Sequence, residues 1–143
     1  MTTKNKVSFD VNKLVRNRSQ ERREALGITY HGHILSPTEY KKELLKKLVE
    51  ETQEVLDATN QENLITELAD VLETIHALST ANGFTIKEVE ERRQAILKER
   101  EGFDKRCYCE YVELDESNPE TQNYRNRPEK YPERHKITTI KLM

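Results

Sequence analysis

The chain has 143 residues, enough for one domain with its own core. Apolar residues make up 34% and charged residues 35%, which suits a helical protein with a thin core that completes itself by oligomerising. The net charge of −2 gives no global field favouring nucleic acid or an anionic membrane, and no apolar run approaches the ~20 residues that span a bilayer. MTTKNKVSFD lacks the apolar core of a secretory signal, so a soluble, cytoplasmic protein with no membrane partner is expected. Cys107 and Cys109 then read as reduced thiols, since a C-x-C pair alone is weak evidence for metal.

Lys4 to Arg18, KNKVSFDVNKLVRNR, is a semi-apolar segment with a basic end. A short helix is predicted from Ser19 to Leu26, closed by Gly27. ITYHGH follows as a loop, and its His31 and His33 read as solvated more readily than as ligands. The first long helix is sharply punctuated: Ser36 as N-cap, Pro37 at the first helical position and Glu39 completing a capping box. It should run to about Asp57. Leu44, Leu48, Thr52 and Val55 form its apolar side, widened by Leu45, Val49 and Leu56.

The polar stretch DATNQEN can turn this helix back on the next, predicted from about Gln61 to Ala81. Leu64, Leu68, Val71, Leu72, Ile75 and Leu78 form the second apolar arc. Thr74, Ala77 and Ala81 make a small-residue strip where another helix can approach. Asn82 and Gly83 end the helix, and Thr85 with Glu88 caps a third, highly charged one reaching about Glu101. GFDKRCYCEYVEL reads as extended, with Cys107, Cys109 and Tyr111 on one side of a candidate strand. From Asp115 the composition turns polar and Pro-bearing, an irregular arm, and ITTIKL could add a last short strand. The predicted fold is therefore all-α, an antiparallel helical bundle with short extended segments. Residues 1–114 form the domain and 115–143 the arm.

Two acidic pairs stand out, Glu51 with Glu54 and Glu67 with Asp70. Each is spaced i,i+3, so both carboxylates of a pair project from one helix face. A helical hairpin would gather all four. Clustered carboxylates repel unless a cation sits among them, and hard oxygen ligands suit Mg²⁺, with Mn²⁺ as a substitute. Pattern alone leaves a solvated charged face and a metal site both open. Both pairs do fall at the margin of an apolar arc, in consecutive helices. A cation there could bridge carboxylates and nucleotide phosphates, and no Ser, Cys or His triad is evident.

Lys13 to Glu113 resembles the all-α nucleoside triphosphate pyrophosphohydrolases, the MazG-like superfamily. The resemblance is strongest to the subgroup related to phosphoribosyl-ATP pyrophosphohydrolase. The pattern E-E-x-x-E, spacer, E-x-x-D stands here as Glu50-Glu51-Thr52-Gln53-Glu54 and Glu67-Leu68-Ala69-Asp70. The subgroup's K-L-V-R-D-K element stands as Lys13-Leu14-Val15-Arg16-Asn17-Arg18. Its G-G-F-x-K-R element stands as Glu101-Gly102-Phe103-Asp104-Lys105-Arg106. Asn17 replaces the usual Asp, Ser19-Gln20 an Ile-Pro, and Glu101 the first Gly. The resemblance implies Mg²⁺-dependent cleavage between the α and β phosphates, giving a nucleoside monophosphate and pyrophosphate. It implies Glu51, Glu54, Glu67 and Asp70 as metal ligands in a homodimer or tetramer that clears unwanted nucleotides.

Phosphates also need cations. Lys13, Arg16, Lys105 and Arg106 flank the hairpin from both ends and are the candidates for substrate binding. Lys47, one turn before Glu51, can either serve the phosphates or pair with Glu51. Two other functions compete: a non-catalytic helical assembly module, and a nucleic-acid binder using the basic N-terminus and Tyr124-Arg125-Asn126-Arg127. Net charge argues against the second.

Overall fold

The computed structural model describes residues 5–134. Among them are five helices and no strand: α1 (Ser19–Ala25), α2 (Pro37–Asp57), α3 (Gln61–Ala81), α4 (Ile86–Arg100) and α5 (Glu120–Arg125). The chain divides between Glu101 and Gly102 into two compact units. The first holds α1 to α4 and the acidic hairpin.

Local chemistry sets the helix ends. Ser36 Oγ accepts from the Glu39 amide at 3.2 Å, and the Ser36 amide donates back to Glu39 Oε2 at 3.3 Å. Thr85 and Glu88 repeat this box at the start of α4. These caps satisfy amides that a helix N-terminus leaves without partners. At the end of α3, Gly83 sits at φ +81°. Its amide reaches Thr80 O and the Phe84 amide reaches Ser79 O, both at 3.1 Å, a Schellman closure. Gly27 ends α1 in the same way, at φ +77°.

Asn60 caps α3 by accepting from the Asn63 amide, so only Ala58 to Asn60 link α2 and α3. A link that short makes the two helices antiparallel neighbours. Their contact is the main one in the unit, and α3 meets α4 less extensively.

The apolar arcs are split between inside and outside. Leu44 is buried at 3% exposure, and it is the sole buried hydrophobic residue among those described. Leu48, Val55, Val71, Ile75 and Leu78 are half-buried. Leu45, Val49 and Leu56 stand out from α2, and Leu64, Leu68 and Leu72 from α3. The expected arcs are therefore only half used. Two long helices close one seam between them, and a wider apolar face needs a further helix to cover it.

In the second unit, residues 102–114 are irregular, not a strand. Arg106 at φ +58° breaks the extended run, and no described strand is there to pair with it. Cys107 and Cys109 are free and exposed. The arm carries a helix, α5, where none was expected. Asn118 Oδ1 accepts from the Glu120 amide at its start. Arg125 bridges Glu116 and Glu133 at 2.8 and 2.6 Å, and Tyr124 meets Tyr131 edge-on at 5.0 Å. ITTIKL lies outside the described residues.

Candidate metal centre on the helical hairpin

Glu51 and Glu67 stand about two helical turns from the α2–α3 link, one on each side of it. Antiparallel packing brings them level, with Asp70 one turn further along α3. Oxygens of Glu51, Glu67 and Asp70 all lie within 4.8 Å of one another. This is the one such group of His, Cys, Asp or Glu among the described residues. Mg²⁺ holds its oxygens at about 2.0–2.1 Å, so two ligands on one ion stand at most about 4.2 Å apart. The three carboxylates are thus close enough to share a hard divalent cation once their side chains draw in towards it. Glu54 lies outside this trio and is exposed on the next turn of α2. Its charge is still felt at Glu67.

The electrostatics are those of crowded negative charge. Burial first, then the charges of Glu54, Asp70 and Glu51, push the Glu67 carboxyl above the usual carboxylate range. Glu51 is buried at 9% exposure. Lys47 reaches it at 3.2 Å and Glu50 at 3.3 Å. Of the two roles open to Lys47, the observed geometry is the ion pair.

The N-terminal segment lies across the same acids. Lys13 Nζ donates to Glu50 Oε1 at 2.8 Å, 37 residues away. Arg16 Nη2 donates to Asp70 Oδ1 at 2.6 Å, 54 residues away. Burial pushes the Glu50 carboxyl up, but hydrogen bonds from Lys13 and Lys47 outweigh it and hold the group below its usual range. Sequence reasoning gave Glu50 no role of its own. Its i,i+3 spacing from Lys47 was a readable signal, whereas its bond to Lys13 is long-range and had none.

Lys105 and Arg106 belong to the second unit, past Gly102. His31 and His33 are exposed. Two open hollows beside α3 are lined without the acids, one by Tyr40, Glu73, His76 and Ala77, the other by Leu72, Ile75, Val89 and Gln94. No described helix is long and apolar enough to cross a membrane.

Residues 39–102 match the MazG nucleotide pyrophosphohydrolase domain. This segment belongs to the MazG-like all-α superfamily. The match covers α2, α3 and α4 almost entire, and with them every acid of the cluster. No curated protein and no solved structure gives a significant match. Residues 39–102 are thus similar to nucleotide pyrophosphohydrolase domains, and the acidic cluster within them is one that could bind a metal.

Proposed function

We propose that the chain is a Mg²⁺-dependent nucleoside triphosphate pyrophosphohydrolase, acting in the cytoplasm to clear unwanted nucleotides. The observation that carries this is the convergence of Glu51, Glu67 and Asp70 on facing helices of the MazG-like segment. In this reading these three hold the cation, and Glu54 joins them from the adjacent turn. Bound there, a divalent ion would neutralise phosphate charge and polarise the attacking water. Mn²⁺ has the same preference for oxygen ligands and would substitute.

The chain's own residues do the rest. Lys47 holds Glu51 in an ion pair and so orients it. Lys13 and Arg16 stand beside the acids and are suited to receive the triphosphate, with Lys105 and Arg106 as further candidates from their sequence element. We extend the functional domain to residues 1–114 so that it includes this element, and leave 115–143 as an arm. The uncovered apolar strips of α2 and α3 support a homodimer or tetramer.

The test is product analysis with a nucleotide panel and Mg²⁺. Pyrophosphate with a nucleoside monophosphate is expected, and Asp70→Asn is expected to cut the rate by about 100-fold or more with the helix content unchanged. Release of inorganic phosphate alone, or an intact rate in Asp70→Asn, would reject the assignment.

A further inference from the structure

The acids are not bare. Arg16 lies on Asp70 and Lys13 on Glu50, both cations coming from one short stretch before α1. This stretch has no regular secondary structure of its own. Between the two cations, Leu14 and Val15 are half-buried and seat the backbone. The Arg16 side chain itself remains 65% exposed, and the Asp70 side chain 31%. An exposed ion pair of this kind is weak and easily exchanged. Lys47 differs, being only 20% exposed and shared between two glutamates within its own helix.

A guanidinium and a divalent cation on the one Asp70 carboxylate compete for it, because like charges that close repel. The Asp70 carboxylate that accepts from Arg16 through Oδ1 is also one of the three whose oxygens gather within 4.8 Å of one another. We propose that Arg16 is a built-in counter-ion latch: it occupies Asp70 until a divalent cation displaces it, and the freed guanidinium then grips the triphosphate. This rests on the metal reading of the cluster. It adds an order of events, in which loading the metal arms the substrate clamp. It also gives Arg16 two opposite effects, against the metal before substrate arrives and for the substrate afterwards. Only the side chain needs to move, because Leu14 and Val15 keep the segment in place.

The test uses the full chain and calorimetry with Mg²⁺ alone, then with inorganic triphosphate at saturating Mg²⁺. Arg16→Gln is expected to bind Mg²⁺ about two- to fivefold tighter than wild type, the reach of one exposed ion pair. The same variant is expected to bind triphosphate more weakly, by about tenfold. Arg18→Gln removes the same charge two residues away, where no bond to the acids is made, and controls for net charge. Unchanged or weaker Mg²⁺ binding in Arg16→Gln overturns the latch alone. An equal gain in Arg18→Gln does the same. Absence of Mg²⁺ binding in wild type and in Arg16→Gln overturns both the latch and the metal reading beneath it. Binding in Arg16→Gln but not in wild type supports both.

Discussion

Lys47 Nζ stands 3.2 Å from Oε1 of Glu51, within one helix and at the start of the acidic cluster. Glu51 is the sole buried carboxylate among the described residues. Without Lys47 its charge would be left in a partly dry place with no partner. Lys47→Gln is expected to cost about 1–3 kcal/mol in urea unfolding without metal. Adding Mg²⁺ should recover more stability in this variant than in wild type, because the ion replaces the missing cation. Equal recovery in both would separate Lys47 from the cluster.

Glu67 and Glu50 shift in opposite directions, and that fixes a pH dependence. A carboxyl raised on folding favours the folded state below its unfolded pKa, and this advantage is lost as pH rises through the raised value. Ionised Glu67 therefore works against the metal-free fold at neutral pH. Glu67→Gln is expected to raise the thermal midpoint at pH 7 and to leave it unchanged near pH 3, where the wild-type group is protonated folded or unfolded. Glu50, held low, contributes stability above the ordinary carboxylate value and loses it as pH falls through its own. Glu50→Gln is thus expected to destabilise at pH 7. Midpoints moving in the same direction for both variants at pH 7 would contradict these environments.

Glu101 sits at φ +64°, ψ −172°, a region that favours glycine. The resembling subgroup has glycine at this point of its G-G-F element, and this chain does not. The backbone keeps the left-handed turn that ends α4 and strains a side chain there. Glu101→Gly is expected to stabilise by roughly 1 kcal/mol, read by urea unfolding at constant slope. A loss of stability would show that the Glu101 side chain contributes more than the strain it causes.

Val49 and Leu56, 71% and 74% exposed, lie on the strip of α2 turned away from α3. If this strip is covered by a second copy, Val49→Asp is expected to reduce the oligomer to a smaller species in light scattering. Its thermal midpoint should also lose any dependence on protein concentration. An unchanged mass would leave that strip outside the interface.

Much of this was readable because it is local. Ser36, Glu39, Thr85, Glu88 and the two glycines act within five residues of the ends they fix. The acids Glu51, Glu67 and Asp70 were placed by helical period plus a short turn. Three things were not readable. A single sequence says which stripe is apolar but not whether it faces its own chain, so Leu64, Leu68 and Leu72 read as core and stand exposed. Alternation in residues 102–114 resembled a strand, yet strands need partners, and none is present among the described residues. The polar segment of α5 has no apolar period. It is held by Arg125 reaching residues eight and nine positions away.

Thr74, one turn beyond Asp70, is buried, and its hydroxyl is turned back onto Asp70 O at 2.9 Å. Ser79 does the same with Ile75 O at 2.8 Å. Each is a small residue whose polar atom is satisfied within its own helix, so it asks nothing of a neighbour except proximity. The rods can lie close, and their spacing sets the calibre of the gap between acids. Thr74 is in that sense a shim, small enough to be buried one turn from Asp70 with its own hydroxyl already satisfied.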